Sequence, residues 1–410
     1  MKYVLLMGRG IEGTGNTKYA VEFQEYLEGL GHEVVTIANS DKKWGREKSH
    51  VNKIKLMSFA DDEKRVSEIC KNADCVFVLS VPAKNYDWFS QDAFYSIICD
   101  ITNAGVKCVY IQVDHKRASI TRNFYSDICY IDILEKFDLI FTHSKQCDFI
   151  DFCNENGLKV KNIICAKDLG VGEIFGINFD KYRSIREYEK DYKTIRFMGR
   201  SATWKGPWLV RDLHEKFFKQ RGYITILEGI EGSIGTVVEL YKETKPSRIP
   251  RDDVIIRLSS ADKKALNEGR IKFETDRPTY VLPPYDNTYG MKRLAKSMFG
   301  IELLLLDDKI LSDVYEYAML EYVAVGTVPV FRKKWGEKFM VGDKPIIEHD
   351  CGIVFMDEND PTEALNLMDK LADDKELYED FRSKSLSFFE THFDSKVIFE
   401  KIMEKVNEVR

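Results

Sequence analysis

The apolar positions of this chain fall in short buried runs separated by stretches of helical spacing. Tyr3 to Met7 makes a first strand. A glycine-rich turn follows, and then a helix from near Thr17 with Tyr19, Phe23, Tyr26, Leu27 and Leu30 on one side. Strands are predicted at 32–38, 74–80, 107–112 and 138–142, with helices at 61–72, 86–104 and 118–135. A second alternating set begins at Thr194 with a strand to Gly199, a helix over 207–220, a strand over 223–228 and a helix over 233–243. It continues with strands near 253–257 and 279–282, a helix over 287–296, a strand over 300–305, a helix over 313–325, a strand over 327–331 and helices after Pro361. Alternation of this kind predicts an α/β fold, with parallel sheets covered by helices on both faces. Phe393, Val397, Ile398, Ile402 and Val406 place a last helix at the C-terminus.

With 410 residues the chain exceeds one ordinary domain. Two domains are expected, over 1–175 and 194–385, joined by a charged linker over 176–193 and followed by the terminal helix segment 386–410. A content of 44% hydrophobic and 31% charged residues is that of a water-soluble globular protein. The first apolar run is short and lacks a small-residue cleavage pattern, so it reads as a strand rather than a signal peptide. No run approaches a membrane span, and no membrane partner is expected. Nine cysteines, none spaced Cys-x-x-Cys, argue for a reducing cytoplasm rather than a disulfide framework or zinc site. Scattered histidines and the absence of an Asp-x-Asp triplet predict no metal. The net charge of −6 does not point to nucleic acid, but binding depends on local basic surface rather than the sum.

In parallel sheets ligands gather at the carboxyl ends of strands. Gly8-Arg9-Gly10-Ile11-Glu12-Gly13 matches Gly-x-Gly-x-x-Gly in the right context, yet the next strand ends in Asn39-Ser40 with no acidic residue for a dinucleotide ribose. Gly13 and Gly15 are therefore read as a loop that lets backbone approach another ligand. Asp114, at a strand tip with His115, can orient a hydroxyl or take its proton; it also fits an N-cap. His115 and His143 equally fit hydrogen-bonded loop residues. Ile195 to Gly206 delivers Arg200 and Lys205 to the start of a helix at Pro207, a set of positive groups suited to a diphosphate leaving group. An ordinary strand, turn and helix with two solvated cations fits the same residues. Tyr317 to Phe331 reads as a helix carrying Glu321, a glycine cap and a strand, and a carboxylate at such a helix start can accept both ribose hydroxyls.

The order Gly-Arg, four residues, Lys-Gly, then Glu, four residues, Gly-x-x-Pro-Val resembles the donor half of GT-B nucleotide-sugar glycosyltransferases. Longer stretches resemble the DNA alpha-glucosyltransferases of T-even phages. They are Met7 to Lys18; Gln112 to His115 with Arg122-Asn123; Gly199 to Gly206 continuing to His214-Glu215-Lys216-Phe217; Glu228-Gly229; Leu320-Glu321 with Gly326 to Phe331; and His349 to Ile353 with Asp357 to Asp360. The resemblance implies two facing Rossmann-like domains in the GT-B arrangement, with an N-terminal acceptor domain, a C-terminal donor domain and a last helix crossing back to the first. It implies a UDP-sugar donor with no further cofactor, duplex DNA containing 5-hydroxymethylcytosine as acceptor, retention of the α configuration, and action in the cytoplasm of an infected bacterium.

Carried onto this chain, Gly13, Gly15, Arg200, Lys205, Glu228, Glu316 and Glu321 would serve the UDP-sugar, while Asp114 and His115 would stand at the acceptor hydroxyl. Lys116, Arg117 and Arg122 beside Asp114, together with Lys43 and Arg46, are the basic positions assigned to DNA; each also fits a solvated face. The family has His-Asp-His at the strand tip where this chain has Val113-Asp114-His115, which opens the donor to UDP-glucose or a UDP-pentose such as UDP-arabinose. A GT-B transferase with a carbohydrate or small-molecule acceptor, and a non-catalytic nucleotide-sugar or DNA-binding protein, remain alternatives on the sequence.

Overall fold

The computed structural model describes residues 1–8, 15–39, 53–79, 81, 91–113, 130–143, 147–200, 206–230, 254–257, 287–304 and 316–409. The chain divides into two compact units. The first comprises Met1–Asn178, Met340–Asp343 and Thr391–Arg410; the second comprises Phe179–Phe339 and Lys344–Glu390.

The first unit is built on β1 (Lys2–Met7), β2 (Glu33–Asn39), β3 (Ile54–Met57), β4 (Cys75–Val78), β5 (Lys107–Ile111), β6 (Leu139–Thr142) and β7 (Ile163–Cys165), all parallel, in the order β3-β2-β1-β4-β5-β6-β7. Burial of both faces explains why β4 is an unbroken hydrophobic run and β6 is one up to Phe141. The helices Gly15–Gly29, Glu63–Lys71, Gln91–Asn103 and Cys147–Glu155 alternate with the strands. Strand order reverses between β1 and β4, where the chain leaves β1 at Gly8.

The terminal helix, Ser395–Glu408, belongs to this unit. Its Phe399 ring packs 4.7 Å from Phe23 and 5.2 Å from Tyr19 of the first helix. At its far end the Lys107 ammonium donates to the carbonyls of Val406, at 2.8 Å, and Val409, which supplies partners for last-turn carbonyls. Segment 172–177 lies alongside 392–395, with Gly172 N–H on His392 O and Ser395 N–H on Ile177 O. The approach is close enough that a Cβ at Gly176 would stand 2.1 Å from the Phe393 carbonyl oxygen. Parts of the stretch 176–193, expected as a charged linker, pack against the fold. Ile177 and Phe179 are buried, and β8 already begins at Asp191.

The second unit holds β8 (Asp191–Arg200), β9 (Ile224–Ile230), β10 (Val254–Arg257), β11 (Ser297–Glu302), β12 (Val328–Arg332) and β13 (Val354–Met356), parallel in the order β10-β9-β8-β11-β12-β13. Helices at Pro207–Leu213, Asn287–Ala295, Tyr317–Ala324 and Thr362–Asp373 accompany it. Several expectations change. β9 runs through Ile230, two residues past the strand expected over 223–228, so Gly229 is a strand residue. The helix predicted over 207–220 is α-helical only to Leu213 and passes through a π turn at His214–Phe218. Strands β3, β7 and β13, at three or four residues each, are too short for a periodic signal and were not anticipated. The helix over 233–243, the strand over 279–282 and residues 118–129 of the helix expected over 118–135 lie outside the described residues; the end of that last stretch is a 3-10 helix, Ile131–Lys136. No described helix is long and apolar enough to cross a membrane.

Candidate functional site

In the second sheet the strand order reverses between β8 and β11, the kind of position at whose carboxyl edge ligands bind in parallel sheets. β8 stays paired with β9 as far as Arg200↔Ile230, whereas its pairing with β11 stops at Gly300↔Arg196. Beyond that point the Met198 N–H donates not to β11 but to the Tyr322 hydroxyl, at 2.9 Å. That oxygen lies 3.2 Å from Ile301 O and 3.3 Å from Glu302 Oε2, so a phenol from the Tyr317–Ala324 helix sits between the parted strand ends. Gly300 makes room for it: a Cβ there would stand 2.4 Å from the Tyr322 ring. Burial, reinforced by the Glu302 carboxylate, pushes the phenol pKa far up, and the hydroxyl keeps its proton.

Along this edge the chain places several of the residues singled out in the sequence. Arg200 is the last residue of β8, and Glu228 pairs with Met198 across β8 and β9; of both, only the backbone is described. The helix expected over 313–325 runs from Tyr317 to Ala324. Glu316, extended and buried, is its N-cap residue, while Glu321 sits in the second turn, also buried. The carboxylate at the helix start is therefore Glu316, and Glu321 lies deeper. Gly326, with φ of +69°, ends this helix as the sequence indicates, and its N–H donates to Val323 O at 2.8 Å. Gly206, with φ of +70°, precedes Pro207 at the start of its helix. On the far side of the edge Arg332 donates to Glu358 (Nε at 2.8 Å) and to Leu304 O (3.2 Å), joining the ends of β11, β12 and β13. Burial works against the Glu358 charge, but the Arg332 hydrogen bonds outweigh it and hold the carboxyl below its ordinary range.

The carboxyl edge of the first sheet is also polar. Thr142 Oγ1 donates to Gln112 Oε1 at 2.6 Å, both residues being buried. Val113 is buried too, with its N–H on Ile111 O at 2.8 Å. His143 Nδ1 stands 3.1 Å from Glu173 Oε1. Gly15 opens the first helix. Gly13, Lys43, Arg46, Asp114, His115, Lys116, Arg117, Arg122 and Lys205 lie outside the described residues. Sequence reasoning did not find Tyr322, Glu302, the Arg332–Glu358 pair or Glu173. Of these, Tyr322 lay in the stretch Tyr317 to Phe331 and Glu358 in Asp357 to Asp360, but neither residue was itself singled out. Among the described residues no group of three or more His, Cys, Asp or Glu could hold a metal ion.

A family model described as AGT, DNA alpha-glucosyltransferase, matches residues 14–376. The DNA alpha-glucosyltransferase of Enterobacteria phage T4 is 30% identical over 413 residues, covering 98% of each chain. An alpha-glucosyltransferase solved with UDP and a 13-mer DNA containing an HMU base superposes with a TM-score of 0.77 at 26% identity, covering 99% of both chains. A structure of alpha-glucosyltransferase with UDP-glucose and DNA containing an abasic site gives a TM-score of 0.77 at 27% identity, again over 99% of both. Two parallel α/β sheets with this topology, and relatives matching from end to end, establish that the chain has the GT-B architecture and belongs to the DNA alpha-glucosyltransferase family.

Proposed function

We propose that this protein transfers a sugar from a UDP-sugar to the hydroxyl of 5-hydroxymethylcytosine in duplex DNA, with retention of the α configuration. The observation that carries the reading is the reversal of strand order at β8 and β11, where their pairing stops short, with Arg200 at the end of one bordering strand and Glu316 at the start of the adjacent helix. It is supported by kinship along the whole chain with a phage DNA alpha-glucosyltransferase. The solved relatives bind UDP or UDP-glucose together with DNA.

In this reading Arg200 and Lys205 neutralise the charge that grows on the departing diphosphate. Glu321, Glu316 and Glu228 serve the nucleoside and sugar hydroxyls, and Gly13 and Gly15 admit backbone close to the ligand. Asp114 and His115 stand at the acceptor hydroxyl, and Lys116, Arg117, Arg122, Lys43 and Arg46 contact phosphates. A base inside a duplex cannot reach such an edge, so it must leave the stack. Retention follows if the sugar is attacked on the face that UDP leaves: the acceptor C–O bond forms as the sugar–phosphate bond breaks, and the acceptor proton passes to the leaving phosphate. Glucose is the donor the relatives favour; Val113, buried against the sheet, keeps a pentose donor in the proposal. The working place is the cytoplasm of an infected bacterium.

The test is incubation with hydroxymethylcytosine duplex DNA and a panel of UDP-sugars, followed by digestion and mass measurement of the nucleosides. A hexose gain confirms the glucosyl reading, and a pentose gain reassigns the sugar pocket. UDP release with no nucleoside gaining mass would refute the acceptor.

A further inference from the structure

The segment from Phe179 to Lys190 carries a buried cation that none of the roles above uses. Arg186 is 8% exposed, and its guanidinium has three partners: Nε donates to Ala324 O at 2.9 Å, Nη2 to Phe179 O at 2.8 Å and Nη1 to Glu390 Oε1 at 2.8 Å. The Phe179 ring centroid lies 5.9 Å from Cζ. Phe179 and Glu390 are the first and last residues of the second unit. One planar group therefore ties both ends of that unit's chain to the end of the Tyr317–Ala324 helix.

The carbonyls from Glu321 to Val325 each have a donor. Glu321 O accepts the Val325 N–H, Tyr322 O the Thr327 N–H and Val323 O the Gly326 N–H. Ala324 O and Val325 O are taken by side chains, the first by Arg186 and the second by Lys190 Nζ at 3.4 Å. Arg382 Nη1 donates to Arg186 O at 2.9 Å, and a Cβ at Gly326 would stand 2.8 Å from the same nitrogen, so Arg186 is itself anchored against the turn it caps. The helix joins the parallel strands β11 and β12, and so starts at the carboxyl edge with Glu316 and ends at the amino edge. Glu321 and Tyr322 lie within one turn of the held end. A buried ion pair is seldom needed for stability alone, since well-packed apolar residues often serve as well. What a guanidinium adds is direction, a rigid fork that fixes its partners at set angles.

We infer that Arg186 is a positioning residue for the donor edge: by holding Ala324 it sets where the helix presents Glu316 and Glu321, and Glu390 in turn sets Arg186. This rests on the proposed function for the ligand, a UDP-sugar at that edge.

Calorimetry with UDP on the full chain needs no turnover. Arg186→Met, which keeps a buried stem and removes every donor, should bind UDP about tenfold more weakly, as when one charge-assisted hydrogen bond is lost. Arg186→Lys, a cation without the fork, should recover only part of the loss. Glu390→Ala should weaken UDP in the same direction, and Arg186→Met in that background should cost less than it does alone, because the two act through one contact. Amide exchange adds a readout that lost packing would not move: saturating UDP should slow exchange of the Gly326 and Thr327 N–H groups in the wild type but not in Arg186→Met. Wild-type UDP affinity in folded Arg186→Met overturns the inference, as do additive effects in the cycle or a loss of affinity that only follows loss of folded protein in thermal melts. Should Arg186→Met not fold, wild-type affinity in both Arg186→Lys and Glu390→Ala overturns the inference, and a shared loss sustains it. If the wild type binds no UDP, the donor reading falls and takes the inference with it. If the wild type binds UDP and transfers sugar while the variants bind as tightly, only the inference falls.

Discussion

Replacing Tyr322 by Phe tests whether a single hydroxyl holds the β8/β11 edge in shape. The ring would stay packed over Gly300, so no cavity opens, and the change isolates one oxygen atom. That oxygen is the partner of the Met198 N–H, in a position where neither residue reaches solvent. An amide left buried without a partner costs about 1–3 kcal/mol, so urea unfolding of the variant should lose stability of that order. The alternative open to the chain is for β8 and β11 to close until Met198 finds a β11 carbonyl. Closure would displace Arg200, two residues along, and UDP affinity should then fall by about three- to tenfold, a cost near 1 kcal/mol. Urea titration and calorimetry with UDP measure the two effects separately. A variant with wild-type stability and wild-type UDP affinity would refute the idea that the phenol sets this edge.

Other outcomes follow from the same geometry. Gly300→Ala should destabilise by about 1–3 kcal/mol through overpacking against Tyr322, and a smaller residue at 322 in the double variant should recover part of that loss, a coupling that a double-mutant cycle reads directly. Lys190 donates to the carbonyls of Ala295 and Val325, but burial, aided by Arg382 and opposed by Glu379 and Glu187, brings its pKa down to about 7. The unfolded chain then holds a proton that the folded chain lacks between pH 7 and about 10.4, so stability should rise with pH across that window. Lys190→Met should abolish the rise, its advantage over wild type being largest at or below pH 7, and denaturant titrations at pH 7 and pH 9.5 check it. Lys107→Met should free the Val406 and Val409 carbonyls and speed amide exchange in the last turn of the terminal helix at a cost of about 1–3 kcal/mol.

How legible these features were in the sequence depended on how local their causes are. β1, β4 and β6 are short apolar runs because both faces are covered, and a run bounded by turn residues declares itself. Gly326 was legible because a helix end needs a positive φ that glycine supplies without strain. Arg186 was not. It lies in a segment dense with charge that reads as a solvated linker, yet its guanidinium is buried because it finds the carbonyls of Phe179 and Ala324 and the carboxylate of Glu390. No local pattern announces that a cation will meet partners 138 and 204 residues away.

The same distinction governs the site. The charges at the edges could be picked out because a diphosphate needs cations and a ribose needs a carboxylate, whatever the fold around them. The groups that hold those charges in place are dictated by the folded neighbourhood instead. Tyr322 lies in Ala318 to Ala324, a helical stretch buried all round, where a tyrosine reads as one more core residue. Only pairing that stops at Gly300↔Arg196 gives its hydroxyl an amide to serve, 124 residues away in sequence. A buried polar atom must find a partner, so where strands part at a ligand edge the partner comes from whichever neighbouring element the fold brings there. That makes Tyr322 a sensitive position for substitution even though it was not conspicuous along the chain.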